Sequence, residues 1–484
     1  MRYFRSSLAF VLAVSLASCG GGGGSSGGSG GAGSGGSGGG TPTPTPTTGT
    51  CSLSARQDWV KSAVDEWYLF PSLVDNGVIK ANYTNLQDYL DALVAPARAQ
   101  SRDRYFSYVT SIAEENAYYS SGATAGFGFR LGYDTANGRV FVIESFEGTS
   151  AMGANIDRGS EILSIGISST SAQTISSLMA SGGAGAVYDA LGPSTAGTTR
   201  FMRVRDQSGV ERDVTLTKTD YSLDPVSSRY GSRIIDDGGK KVGYINLRTF
   251  ISTAEPELRT AFASFRAQGV NEVIVDLRYN GGGLLTVSQT FGSLLGQNRV
   301  GQVFGQITYR ASKSAENETF PFVSENSGIG AMKIAFIGRG GTASASELLA
   351  NAFIPYLGNN IALIGTNTYG KPVGQNAFDR SQCDDRLRLV TFRTENRDGN
   401  GDYYTGLASV MPNTCMANDD ITRPLGDPAE ASVAAALDFL GGRGCTPIAV
   451  GTRQRTMQVT PQRQLLMPDL PEATTAQREV PGLF

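Results

Sequence analysis

The sequence predicts an α/β core, a mixed sheet flanked by helices, carrying an inserted β-rich module and an N-terminal helical segment. Three observations predict it. In the second half, continuous apolar runs alternate with helical periodicity, the pattern of a sheet covered on both faces. From Gly122, glycine-rich turns separate short alternating runs of β type. Before that point, apolar residues recur every three or four positions. At 484 residues the chain is long enough for two or three domains and a sizeable core.

Residues 1–18 read as a targeting signal. Arg2 and Arg5 precede a largely apolar stretch from Leu8 to Ala17 that is too short to span a bilayer. Leu-Ala-Ser-Cys at 16–19 resembles the lipobox of bacterial lipoproteins, which implies cleavage before Cys19 and lipid on that cysteine. Residues 19–50 then form a tether: glycine and serine to Gly40, followed by a Thr-Pro repeat. Flexible and stiffer pieces together reach on the order of 30 Å, enough to hold a globule off a membrane. Gly-x-Ser-x-Gly occurs at 27–31 and 35–39 through composition alone, not as a nucleophile elbow.

The helical segment, 51–120, is carried by Trp59, Val60, Ala63, Val64, Trp67 and Tyr68, then by Leu86, Tyr89, Leu90 and Leu93. In the β-rich module, 121–222, the clearest runs are 126–131, 139–143 and 213–217. The core, 223–445, alternates strands at 242–247, 273–277, 333–337 and 361–365 with helices at 255–268, at 284–295 and from Ser344. Residues 301–330 look like an insertion. The stretch 446–484 is polar and proline-bearing, and poor order is expected for much of it.

Charge and composition exclude several functions. A net charge of -3, a pI near 5.4 and no basic tract argue against nucleic acid. With no histidine, catalysis must draw on carboxylates, lysine, cysteine or metal. Zinc is disfavoured because Cys-x-x-Cys is also absent. Asp398, Asn400 and Asp402 imitate a calcium loop, but Tyr403 and Ser409 stand at its sixth and twelfth positions, so a hairpin tip is expected. No metal or cofactor is expected. Beyond Cys19, the cysteines 51, 383, 415 and 445 are even in number for an exported chain, which predicts two disulfides with three pairings open. The favoured set joins Cys383 to Cys415 as a local loop and Cys51 to Cys445 as an end-to-end tie.

One segment carries the chemistry. Ser344 to Glu347 is a Ser-x-x-Glu capping box, so its bland reading is a helix start. Yet Ser346 then falls in the first helical turn, where N–H groups lack partners and the dipole favours negative charge. A nucleophile there has an oxyanion donor beside it in the N–H of Glu347. Lys371, one of only eight lysines, follows the next strand and can return to the same sheet edge. It serves as a base only when neutral, which requires a desolvated site. Gln375 can orient its amine. The strand into Asp276-Leu277-Arg278-Tyr279-Asn280-Gly281-Gly282-Gly283 adds a glycine turn whose Gly281 or Gly282 N–H offers a second oxyanion donor. Its bland reading is a tight turn with Asp276 and Arg278 paired. No lysine has serine three residues before it, so Ser-x-x-Lys chemistry is absent.

Asp-Leu-Arg-x-Asn-x-Gly-Gly, Thr-Ala-Ser-Ala-Ser-Glu and Tyr-Gly-Lys with glutamine four residues on resemble the carboxyl-terminal processing peptidases, over roughly residues 54–440. The resemblance implies a helical segment, a PDZ-like module and a serine protease core, with Ser346 as nucleophile, Lys371 as general base and Gln375 as its orienting partner. It also implies that Gly126, Phe127, Gly128 and Phe129 receive a peptide carboxylate, and that the partners are polypeptides with free C-termini. Pro372 stands where many members have glycine and Gly281 where many have proline, and neither removes a catalytic atom; Ser160 stands where aspartate is usual and leaves strand addition intact. With the lipobox, the expected location is the bacterial envelope, anchored to the bilayer through acylated Cys19 and facing the periplasm. Two rivals stand beside this reading: a peptide-binding scaffold with an inert core, and an esterase or amidase acting on small molecules.

Overall fold

The computed structural model describes residues 49–450 and 463–484. The signal-like segment, Cys19 and the glycine-serine tether lie outside the described residues, as do residues 451–462.

The core sheet has six strands in the spatial order Ser232–Asp237, Lys240–Asn246, Glu272–Asp276, Lys333–Gly338, Ile361–Gly365 and Asn413–Met416. Only the first pair is antiparallel. Because side chains alternate faces along a strand, continuous apolar runs divide between two cores. Val273, Val275, Ile334, Phe336, Ile361 and Leu363 join helices Ala254–Ala267, Leu285–Leu295 and Ala345–Leu357. Ile274, Ala335, Ile337, Ala362 and Ile364 pack on helix Ala431–Leu440 instead. Phe262, Phe291 and Leu349 are fully buried in the first core, each contributing about 2 kcal/mol of transfer free energy.

A second sheet joins Tyr108–Ser111, Asp385–Glu395, Val303–Tyr309 and Glu318–Pro321, with Val373–Arg380 paired to Asp385–Glu395. The insertion expected at 301–330 therefore supplies two strands of a regular sheet. Helices Leu53–Trp67, Leu86–Leu93, Ala95–Ala99 and Ile112–Ser121 occupy the segment expected to be helical. Residues 108–111 depart from that pattern: β-branched Val109 and Thr110 extend and pair with Leu387 and Arg386.

The β-rich module has one seven-stranded sheet and a separate two-stranded ribbon of Ala123–Gly126 and Thr219–Ser222. The strand order of the larger sheet is Gln464–Leu465, Phe129–Asp134, Arg139–Ser145, Glu161–Gly166, Thr199–Arg205 and Glu211–Thr217; Gln173–Thr174 also pairs with Glu161–Gly166. Helix Ile175–Leu191 packs on it through Ile175, Leu178, Val187 and Leu191. Two polar junctions join module to core. Glu144 binds Arg248 (2.6 Å), whose guanidinium also reaches Glu147 and Tyr230. Arg158 donates to the Ile143 carbonyl (2.7 Å), the Tyr279 hydroxyl (3.2 Å), Asp419 (2.8 Å) and the Arg423 carbonyl (3.0 Å).

Two expectations are corrected. The polar tail is ordered at 463–484: Gln464–Leu465 adds an edge strand, Thr475–Glu479 is helical, and Leu466, Val480, Leu483 and Phe484 are buried. Its few apolar residues are scattered in sequence but converge on the module and on Tyr118, Phe146 and Ile251. The disulfides are Cys51–Cys383 and Cys415–Cys445, not the favoured pairing. Cys383 sits in the turn between Val373–Arg380 and Asp385–Glu395, where Arg380 also grips the Thr50 carbonyl, so Cys51 is its neighbour. Cys415 lies in a core strand beside the chain leaving helix Ala431–Leu440, where Met416 N–H meets the Thr446 carbonyl at 2.7 Å.

Candidate active site

Three core segments converge at the carboxyl ends of the parallel strands, where sheets of this kind place their sites. The first is the strand end and glycine turn 276–283. Arg278, wholly buried, binds Asp276 (2.9 Å) and forks onto both oxygens of Glu430 (2.9 and 2.8 Å). Glu430 in turn caps helix Ala431–Leu440 through the N–H groups of Ser432 and Val433. The pairing of Asp276 with Arg278 is thus structural, and it fixes where the turn begins. Asn280 donates to the Leu247 carbonyl (2.8 Å) and accepts from Gly282 N–H (2.9 Å). Gly283 has φ +127°, and a side chain there would strike the Phe250 carbonyl at 2.3 Å, so only glycine serves.

Ser346 opens the second segment. Its helix, Ala345–Leu357, begins after Ser344, whose φ of 56° turns the chain sharply from strand to helix. The Ser346 side chain is fully buried, and its Oγ donates to the Asn280 carbonyl at 3.1 Å. The glycine turn and the helix start are therefore in direct contact. Thr342 strengthens the contact by donating to the Leu277 carbonyl (2.8 Å).

The third segment is Thr368–Lys371, and what holds it is the Glu347 side chain. Its carboxylate accepts from Thr368 Oγ1 (2.6 Å), Gly370 N–H (2.7 Å), Lys371 N–H (2.7 Å) and Ser344 N–H (3.1 Å). Burial pushes its pKa above the ordinary carboxyl value, while these hydrogen bonds pull it back down. Reading 344–347 as a capping box identified the Glu347 main-chain N–H and missed this second role. The buried carboxylate delivers Lys371 to the neighbourhood of the helix that carries Ser346. Burial also lowers the Lys371 pKa, with Glu479 raising it and Arg478 lowering it. Its ammonium lies 5.1 Å from the centre of the Phe106 ring. Among the described residues no hydrogen bond joins Lys371 Nζ to Ser346 or to Gln375. Gln375 instead donates to the Phe106 carbonyl (2.7 Å), so it holds the residue that packs on the lysine.

Both expected glycine donors are engaged. Gly281 N–H meets the Glu479 carbonyl at 2.9 Å, and Gly282 N–H is taken by the Asn280 side chain. A cleft of about 950 Å³ opens here, lined by Gly281, Lys371 and Gln375 of the core, Ile143 of the module, and Glu479 and Pro481 of the tail.

The loop Gly126–Phe129 lies at the edge of the module. The Phe127 and Phe129 side chains are fully buried in the module core, so only their main chain is available to a ligand. Gly128 and Phe129 direct their N–H groups to the main-chain oxygen of Phe484 (2.9 and 3.3 Å). A side chain at Gly126 would approach the Phe484 carbonyl carbon to 2.6 Å. Ser160 keeps its turn, accepting Asp157 N–H at 3.3 Å.

A serine at a helix start, beside a glycine turn and a lysine held by a buried glutamate on a parallel sheet, defines a class of α/β hydrolytic core. Residues 241–407 match peptidase family S41. It is 30% identical over 272 residues to carboxyl-terminal-processing peptidase 2, chloroplastic, of Arabidopsis thaliana, covering 54% of this chain and 48% of that protein. Against the carboxyl-terminal-processing protease of Synechocystis it is 29% identical over 236 residues, covering 48% and 51%. The chain thus spans about half the length of these curated relatives. A crystal structure of a Bacteroides fragilis protein assigned as an S41 protease shares the fold, with a TM-score of 0.62 and 24% identity, covering 79% of this chain and 97% of that one.

Proposed function

We propose that this protein is a serine endopeptidase of Ser-Lys type that recognises polypeptide C-termini through its β-rich, PDZ-like module. One observation carries the reading: Glu347, next to Ser346, grips the main chain of Lys371 and ties base and nucleophile to one buried anchor. The match of residues 241–407 to peptidase family S41 and the lowered Lys371 pKa support it. In the reaction, Ser346 Oγ attacks the scissile carbonyl carbon while neutral Lys371 Nζ takes its proton. The oxyanion is met by the Gly281 N–H, once the Glu479 carbonyl gives it up, and by the N–H of Glu347. Lys371 returns the proton to the departing amine, the C–N bond breaks, and water hydrolyses the acyl-Ser346 ester. Gln375 orients the lysine side through Phe106. Gly126–Phe129 receive the peptide terminus, adding it as an edge strand.

The test is digestion of a reduced, unfolded protein by the purified chain beside Ser346→Ala. Proteolysis by the former and none by the latter is expected. Equal cleavage by both would overturn the assignment of Ser346. Location belongs to the same proposal: lipid on Cys19 and the tether that follows hold the enzyme at the bacterial envelope, facing the periplasm. Cys19→Ser should leave the detergent phase for the aqueous one in the native host; unchanged partition would refute the anchor.

A further inference from the structure

The module edge and the Gly281 donor that a substrate would use are both taken by this chain. Residues 479–484 run from one to the other, leaving helix Thr475–Glu479 and passing through a turn at Pro481 and Gly482 before the chain extends at Leu483 and Phe484. At the cleft, the Glu479 carbonyl takes the Gly281 N–H at 2.9 Å. Next along, Leu131 N–H meets the Gly482 carbonyl (2.8 Å), and Arg130 bridges Leu483 in antiparallel register. In the groove, Phe484 pairs on both sides of Phe129: its N–H donates to the Phe129 carbonyl (3.0 Å), and its oxygen accepts from Gly128 and Phe129. This is strand addition to a sheet edge, the way an extended peptide binds such a module. Phe484 is only 2% exposed and sets its ring against Tyr188, at 5.8 Å between centres and 63° between planes. Val480 and Leu483 are buried in a neighbouring apolar cluster with Tyr118, Phe146 and Ile251.

We propose that residues 463–484 are a built-in competitor: a self-ligand that occupies the peptide groove and the Gly281 donor together, and that a substrate must displace. The proposal rests on the peptidase reading above and deepens it, because the occupant reports what the groove accepts. That is a peptide setting a bulky apolar residue beside Gly128 and Phe129, with leucine before it. Three features point to competition rather than simple docking. The donors in use are main-chain N–H groups, which any peptide presents acceptors for, so the tail has no exclusive claim on them. Glu479 stands where the attacked carbonyl of a substrate must stand to use Gly281. And Ser346 Oγ is turned to the Asn280 carbonyl rather than to Lys371, so the dyad is disengaged while the tail is in place.

The experiment uses the full chain and a synthetic fluorescent peptide, Glu-Val-Pro-Gly-Leu-Phe. Peptide affinity is measured on Ser346→Ala with the native tail and with Leu483→Asp plus Phe484→Asp; hydrolysis of an unfolded protein is measured on the corresponding active chains. The tail variant should bind peptide about tenfold more tightly, the factor expected if the self-ligand fills the groove about nine-tenths of the time, and should cleave faster. Equal affinity and equal cleavage would overturn the self-ligand while leaving the peptidase reading intact. Tighter peptide binding with no cleavage by any chain would uphold the self-ligand and sink the peptidase. Should the tail variant not fold, hydrogen exchange on the unaltered chain decides. Excess peptide must speed exchange at 480–484, and unchanged protection there overturns the proposal.

Discussion

In the α/β core, Asp276, Arg278, Glu430 and Glu347 close on partners supplied by the core itself; in the β-rich module, the N–H groups of Gly128 and Phe129 find theirs on residue 484. Both arrangements satisfy buried polar groups, as burial demands. They differ in what can be exchanged. A guanidinium forked between two carboxylates has no substitute outside the protein, whereas a sheet edge accepts any extended backbone. The positions of Ser346 and Lys371 are therefore set by covalently fixed neighbours, and the contents of the groove are not.

The largest effect expected on the core side comes from Lys371→Arg, which keeps a charge but cannot deprotonate. Proteolysis should fall by about 10²–10⁴-fold, the usual contribution of a general base, with peptide binding in the groove unchanged. Substantial turnover by this variant would show that the lysine is not the base. For the native enzyme the sign follows from the lowered pKa: neutral lysine accumulates as pH rises, so the rate climbs with pH through an apparent pKa below the ordinary 10.5. A rate that falls over that range would contradict the assignment.

Next in size, Glu430→Gln takes from buried Arg278 its bidentate carboxylate and leaves it Asp276 and, farther off, Asp419 (3.6 Å). Breaking a buried pair from one side costs about 3–5 kcal/mol, read as a lower urea midpoint with unchanged slope. An unchanged midpoint would mean that the core is not internally closed after all. Glu347→Gln is milder in shape but removes the charge that holds the N–H groups of Gly370 and Lys371. Charge-assisted hydrogen bonds contribute about 1.5–3 kcal/mol each, so a loss in kcat of about 10–100-fold is expected. KM should change little, because the groove lies in the module; a change confined to KM would place Glu347 in substrate binding instead.

The smallest effect sharpens the comparison from the tail side. Glu479 raises the Lys371 pKa, so Glu479→Gln should move the pH–rate profile toward lower pH. A profile that does not move would mean that the tail is away from Lys371 in solution.

How much of this was legible in the sequence follows the same division. The parallel strands at 273–277, 333–337 and 361–365 announce themselves because burial on both faces leaves runs of apolar residues that polar ones cannot interrupt. The segments carrying Ser346, Lys371 and the glycine turn were equally visible, since cap, turn and spacing are local. The Glu347 carboxylate was hidden in plain sight: a capping box accounts for a glutamate at that position without reference to residues 368–371, which only the fold brings near. The disulfide partners were not recoverable from spacing, because the turn at 381–383 reaches Thr50 through the pairing of two long strands. The tail misled for a related reason. Val480, Leu483 and Phe484 are three apolar residues in a polar stretch, too few to signal an element, yet enough to fill a site already built.

Arg158 has one more consequence. A single guanidinium reaches the Ile143 carbonyl in the module and the Tyr279 hydroxyl, Asp419 and the Arg423 carbonyl in the core. Asp419 is correspondingly held well below the usual carboxylate range: burial alone would raise it, but the charges of Arg158, Arg339 and Arg278 outweigh that. Any rotation of module against core strands several of these buried groups at once, and each unsatisfied one costs about 1–3 kcal/mol. Module and core are thereby fastened at one point whose bonds are lost together, not one at a time.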